Sequence, residues 1–315
     1  MGYFCFFPIA MKTVIKHFAL CLSFFLVSLS SNAWNGRGHM LVASIAYRNL
    51  PDSTQVHYTD MLKKHPFYNE WVNEFNKLTG VEHGEFLFMK AATWPDDIRK
   101  TDNPNDHPTW HYMSYRIAYD GKLPVRQPND TVNIITQLEY CSAVLKNNAE
   151  TMEQRAIALS WFIHLVGDIH QPLHTASLFN DNFPNGDLGG NSINVLITQG
   201  GYPTNLHSFW DGLLGKGQDF SQILPQSRTL TTQHPVSTFD NADSLQFVNW
   251  SYESYALATT AAHRNGDIDK LNGITSKATA LLIPDAEEYL KQSMAIGEKR
   301  VVLSGYRLAK CLAAD

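Results

Sequence analysis

One stretch limits what this chain can become more than any other: Trp161-Phe162-Ile163-His164-Leu165-Val166-Gly167-Asp168-Ile169-His170-Gln171-Pro172-Leu173-His174. Upstream, Thr151-Met152-Glu153-Gln154 has the form of a capping box, with Thr151 as the cap and Gln154 reaching back to it. A helix is therefore expected from Glu153 to about Ile169, stopping before Pro172. His164 and Asp168 stand four residues apart and project from one face of that helix. Their neighbours are almost wholly apolar, which predicts a buried helix. An imidazole and a carboxylate buried there are costly without partners. Taken alone, the pair is open to two readings: a buried His–Asp hydrogen bond, or two ligands of one metal ion.

The pair is not alone. His207-Ser208-Phe209-Trp210-Asp211 repeats the same spacing. Trp94-Pro95-Asp96-Asp97 and Trp110-His111-Tyr112 add an acid and a histidine, each beside a tryptophan, and His39 opens the first helix. Packing poorly explains several separate His/Asp sites in apolar or aromatic settings. Oxygen and imidazole donors without cysteine point to catalytic zinc, not to a structural thiolate site. His57, His65, His83, His107, His234 and His263 have no partner at ligand spacing and are expected to be solvated, while Asp97 is expected just behind the ligands.

The first 33 residues read as a secretory signal peptide. Lys12 and Lys16 precede an apolar run from Phe18 to Leu29, then the small, polar Ser30-Ser31-Asn32-Ala33. The run is short for a membrane anchor, and no second long apolar stretch follows. Met11 is a candidate start, because Lys12 follows it at once. Cleavage after Ala33 leaves Trp34 as the new N-terminus and 34–315 as the mature domain, secreted or periplasmic and free of the membrane. It removes two lysines and no acid, taking the net charge from −5 to about −7. A module that grips polyanions through a basic surface is excluded by that balance. Nucleic acid would have to be met at a local positive site such as a metal cluster. Of four cysteines, Cys5 and Cys21 leave with the signal, and Cys141 and Cys311 could be joined or not.

Helical periodicity runs through most of the mature chain, at His39–Leu50, Val132–Lys146, Glu153–Ile169 and a last helix with Pro284 at its first position. Asn180–Asn191 reads as a loop, and the β-rich run Ser192–Thr198 offers one small hairpin. The expected fold is all-α, a single domain with long loops.

The ordered set Trp34-Asn35-Gly36-Arg37-Gly38-His39, Trp94-Pro95-Asp96, Trp110-His111-Tyr112, His164-x3-Asp168-x5-His174, Gly189-Gly190-Asn191 and His207-x3-Asp211 resembles the trinuclear-zinc nuclease family. That family holds the fungal nucleases S1 and P1 and the plant bifunctional nucleases, and it shares its fold with zinc phospholipase C. The likeness runs from Trp34 to about Asp211 and returns at Gly305-Tyr306-Arg307-Leu308-Ala309, whereas 216–282 is less distinctive. It implies three Zn2+ ions. One is held by Asp96, His111 and His164, with Asp168 bridging to the next. The second takes Asp168, His39 and the freed amine and carbonyl of Trp34. The third takes His174, His207 and Asp211. His170 lies outside these positions and is expected behind them or at the surface.

A phosphodiester repels hydroxide, so its hydrolysis needs a nucleophile and positive charge together, both of which a zinc pair supplies. The expected chemistry places hydroxide between the two zincs that share Asp168, oriented by Asp96, with the third zinc stabilising the leaving 3′-oxygen. Asn191 and Arg99 are candidate phosphate contacts; Arg99 reads equally as surface charge. Tyr112 occupies the family's base-stacking position, which favours single strands. Ser114 departs from the acid that the fungal members carry there. The expected protein is thus a monomeric endonuclease on single-stranded DNA and RNA that also acts on 3′-nucleotides. Two rivals stand beside it. A zinc phospholipase C places its first histidine farther from the tryptophan and uses Glu where this chain has Asp211. A non-catalytic exported zinc-binding protein would saturate its metals with protein ligands.

Overall fold

A computed structural model of the chain describes residues 1–2, 34–99, 101–119, 131–268, 277 and 280–314. The expected signal segment and the start at Met11 lie outside these residues. The site belongs to the unit Ser31–Asp315. Among the described residues, no helix is long and apolar enough to cross a membrane.

The fold is all-α. Its helices are α1 (Gly36–Arg48), α2 (Asp52–Leu62), α3 (Tyr68–Phe75), α4 (His83–Asp97), α5 (Ile134–Lys146), α6 (Met152–Ile169), α7 (Leu206–Asp211), α8 (Phe220–Gln233), α9 (Phe247–Leu257) and α10 (Ala286–Ala313). At the centre is α6, buried continuously from Ala158 to Ile169. Its capping box forms: Thr151 Oγ1 accepts from Gln154 N at 3.2 Å, and Gln154 Oε1 accepts from Thr151 N at 2.9 Å. Around α6 pack α1, α4, α5 and α10, whose apolar faces join it in one core with Met40, Leu41, Phe86, Phe88, Leu138 and Leu308. Each such side chain contributes roughly 1.5–3 kcal/mol when fully buried.

Close approach of α1 to α6 depends on Gly167, where a Cβ would stand 2.8 Å from His39 Nδ1. The same crossing seats Trp34, which is fully buried.

Strands are few and short. β1 (Tyr115–Ile117) pairs in parallel with β2 (Ala176–Leu178). Just before that pairing, Met113 N donates to His174 O at 2.9 Å. The run Ser192–Thr198 contributes β3 (Asn194–Leu196), which forms the expected hairpin with β4 (Thr204–Asn205) and also pairs in parallel with β5 (Leu281–Leu282).

Several boundaries differ from expectation. α1 starts at Gly36 because the Asn35 side chain caps it by accepting from Gly38 N. α5 starts at Ile134 because Asn133 forms its own capping box with Thr136. Pro284 does not open α10: Asp285, left-handed at φ 52°, turns the chain and Ala286 begins the helix. No disulfide joins Cys141 to Cys311.

Candidate metal centre

The eight ligand side chains expected from the sequence converge, from five elements and the connections between them, on one buried site. α1 brings His39, α4 brings Asp96, α6 brings His164 and Asp168, and α7 brings His207 and Asp211. His111 comes from the segment before β1, and His174 closes the 3-10 turn Pro172–His174 after α6. They form three groups that could each hold a metal ion: His39, His164 and Asp168; Asp96, His111 and His164; and His174, His207 and Asp211. The second and third groups match the expected sets. In the first, His164 stands with His39 and Asp168, so this ring lies at the junction of two groups.

Asp168 reaches rings of both groups that contain His164. Its Oδ1 is 3.2 Å from His39 Nε2, while its Oδ2 is 3.0 Å from His111 Nδ1 and 3.3 Å from His164 Nε2. The His39 and His164 rings stack at 3.9 Å. Asp96 faces the same point, 3.9 Å from His164 Nε2 and 4.0 Å from His111 Nδ1.

Backbone carbonyls aim the rings. His164 Nδ1 donates to Ala92 O at 2.7 Å, His174 Nδ1 to His111 O at 2.6 Å and His207 Nδ1 to Gly189 O at 2.7 Å. A carbonyl can only accept, so each of these rings carries its proton on Nδ1 and turns Nε2 to the centre. In the third group the consequence is direct. His174 Nε2 and His207 Nε2 are 3.1 Å apart, and Asp211 Oδ2 is 3.5 Å from the latter. With His174 neutral, its lone pair, the His207 ring nitrogen and the Asp211 carboxyl group converge there, an arrangement that a cation fits.

The electrostatics agree. Burial, the largest influence on each ring, lowers His39 and His174 to about 4 and His111 to about 3, so these rings are neutral at neutral pH. Burial also raises Asp96 to about 6 and pushes Asp211 well above the carboxylate range; the Gln171 amide opposes the latter only in part. At His164 burial acts to lower the pKa, but Asp168 and then Asp96 outweigh it and raise the ring to about 9. A field that holds a proton on Nε2 would equally hold a metal ion in its place. Buried His39 Nδ1, His111 Nε2, Asp96 Oδ1 and Asp168 Oδ1 lack aligned hydrogen-bond partners. Hard-oxygen and imidazole donors of this kind fit zinc.

At the edge, Arg99 Nη1 lies 3.5 Å from Asp96 Oδ1, so the guanidinium belongs to the site's rim. Asn191 is nearly buried and spends one amide proton on Leu188 O at 2.9 Å. Tyr112, next to buried His111, is 40% exposed.

Other expectations need correction. His65 and His263 are buried, not solvated: His65 is boxed by Trp71 and Trp94, and His263 lies 3.6 Å from buried Asp187. His83, His107 and His234 are half-buried, and only His57 of that group is exposed. Of the two places expected for His170, the surface is excluded: the ring is wholly buried, its Nδ1 donates to Val166 O and its Nε2 meets Arg307 Nη1 at 2.9 Å. Asp97 is exposed and accepts from Thr93 Oγ1. One contributor escaped the sequence reading: Gln171 Nε2 donates to Asp211 Oδ1 at 2.7 Å and fixes that carboxylate. Its only signal was its place between His170 and His174.

Comparison with known proteins gives this geometry its setting. The profile of the S1/P1 Nuclease family matches residues 34–314. Endonuclease 4 of Arabidopsis thaliana is 30% identical over 305 residues, covering 89% of this chain and 88% of its own. Nuclease S1 of Aspergillus oryzae is 26% identical over 297 residues, with 89% and 90% covered. Nuclease P1 of Penicillium citrinum is 24% identical over 290 residues, with 88% and 95% covered. A buried His/Asp centre in three groups, on an all-α scaffold matched over nearly its whole described length, places this chain in the S1/P1 nuclease family.

Proposed function

We propose that this nuclease is an exported, zinc-dependent phosphoesterase that cuts single-stranded DNA and RNA internally and also acts on 3′-nucleotides. The observation that carries the reading is the third group, where His174 Nε2, His207 Nε2 and Asp211 Oδ2 converge within ligand distance of one another. Three zinc ions are assigned: to Asp96, His111 and His164; to Asp168 and His39 with the amine and carbonyl of Trp34; and to His174, His207 and Asp211. Asp168 is shared by the first two. Export supplies the free amine, because cleavage after Ala33 exposes Trp34. The working unit is a monomer, in the periplasm or the medium.

Bound zinc supplies a water that ionises near pH ~7 and positive charge for phosphate oxygens. The chain's own residues do the rest. Asp96, part-exposed at the rim, accepts a hydrogen bond from the attacking water and sets its direction. Arg99, beside it, offers guanidinium protons to a non-bridging phosphate oxygen. Asn191 offers its second amide proton to another. The exposed ring of Tyr112 stacks an unpaired base, which a duplex presents only after unpairing.

Hydrolysis of a single-stranded oligonucleotide and of a 3′-nucleotide, lost on chelation and restored by zinc, is the expected result. Robust phosphatidylcholine hydrolysis without nuclease activity would overturn the reading in favour of a phospholipase. Zinc uptake with no hydrolysis would make the protein a metal binder.

A further inference from the structure

Behind the third group lies a buried acid–base pair on which no part of the assigned centre draws. His263 Nε2 is 3.6 Å from Asp187 Oδ2, and both side chains are fully buried. They come from distant segments, and each immediately precedes a run of three left-handed residues. After Asp187 come Leu188 at φ 58°, Gly189 at 62° and Gly190 at 83°; after His263 come Arg264 at 50°, Asn265 at 52° and Gly266 at 91°. Left-handed backbone is costly for leucine and arginine and persists only where the surroundings enforce it. His263 is delivered by a further rarity, the π-helical turn Ala258–Ala262, closed by His263 N donating to Ala258 O at 2.9 Å.

The loop that follows Asp187 is held at its base by that residue. Asp187 N donates to Leu178 O, and Asp187 O accepts from Ser192 N, at 2.9 and 3.0 Å. Asp187 Oδ1 accepts from Ser177 Oγ and Leu178 N, both at 2.9 Å. That leaves Oδ2 to face His263. The loop's output is Gly189 O, which accepts from His207 Nδ1 and so fixes the ring's proton and its direction. Asn191 closes the same loop through Leu188 O.

We propose that Asp187 and His263 are positioning residues: their buried contact sets the left-handed loop 188–190, and through Gly189 O it aims His207 at the third metal group and places Asn191. This rests on the zinc reading given above. The ligand itself is untouched, so the effect falls on how firmly that group keeps its ion, not on whether the fold forms.

The test uses the processed, zinc-loaded protein with His263→Gln and Asp187→Asn, both close in shape to the native residue. The readouts are zinc loss to a chelator, melting temperature, and kcat and KM on a single-stranded oligonucleotide. Expected is that one zinc of the set leaves roughly tenfold or more faster and kcat falls by a similar factor. The melting temperature should move by no more than about 3 °C. Zinc loss and kcat equal to wild type would overturn the inference. So would a lower melting temperature with unchanged kcat per folded molecule, the mark of a purely structural contact. If His263→Gln does not fold, Asp187→Asn, which keeps both Oδ1 bonds, decides by the same readouts. A folded wild type that takes up no zinc would instead overturn the reading of the centre, and this inference with it.

Discussion

Around its C-terminal end, α6 meets two buried polar regions. On one side Glu253, Arg300 and Arg307 enclose His170. Glu253 accepts from both guanidiniums at 2.7–2.8 Å, Arg300 Nε donates to His170 O at 3.0 Å, and Arg307 donates to Asn241 O at 3.0 Å. On the other side His39, Asp96, His111, His164, Asp168, His174, His207 and Asp211 converge in three groups. Both regions are largely buried and both contain histidine and a carboxyl group. In the first, all but one guanidinium nitrogen, Arg307 Nε, meet acceptors and positive charge meets negative, so the polypeptide nearly completes itself. In the second, three carboxyl groups and the ring nitrogens of five histidines crowd within ligand distance in three groups, so the polypeptide asks for cations. Donor–acceptor matching, more than burial or residue type, separates a structural polar core from a metal centre.

Substitutions can break that contrast. Asp168→Asn keeps the shape but removes the charge shared by two groups; kcat should fall on the order of 10³-fold and the zinc content with it, measured by single-substrate kinetics and elemental analysis. Arg307→Met should act in the opposite register. Removing one of the two guanidiniums on half-buried Glu253 costs about 1–3 kcal/mol by urea denaturation, with zinc per folded chain unchanged. Loss of zinc without loss of stability in Arg307→Met would erase the distinction between the regions.

Two smaller effects sharpen it. Gln171→Ala removes the amide that fixes Asp211, and chelator competition should show roughly 10–100-fold weaker retention of one zinc. His65 is a third kind of buried histidine, boxed in aromatics, whose pKa burial lowers to about 3 from an unfolded value of 6.5. Between those values the unfolded chain binds the extra proton. His65 therefore leaves stability intact above pH ~6.5 and erodes it as the pH falls towards ~3, by at most about 1.4 kcal/mol per pH unit. In metal-free protein, His65→Phe should flatten the decline of stability between pH 6 and 4. An unchanged slope would contradict this.

Much of the centre was legible because its ligands come in patterns that local geometry reads. His164/Asp168 and His207/Asp211 share helix faces by spacing alone, and the Thr151–Gln154 box marks the start of α6. What was not legible depends on groups without a sequence signature. The carbonyls of Ala92, His111 and Gly189 fix three ring orientations, yet every residue carries such a carbonyl. His65 and His263 lacked partners at helical spacing because their neighbours come from other segments, Trp94 and Asp187. The start of α10 turned on a left-handed Asp285 that its residue type did not announce.

The most direct test of the central claim is the number of zinc ions per chain in the processed, folded protein, counted by elemental mass spectrometry with the N-terminus read in the same sample. Three zinc ions on a chain that begins at Trp34 are expected. A folded chain with no tightly bound zinc would contradict it.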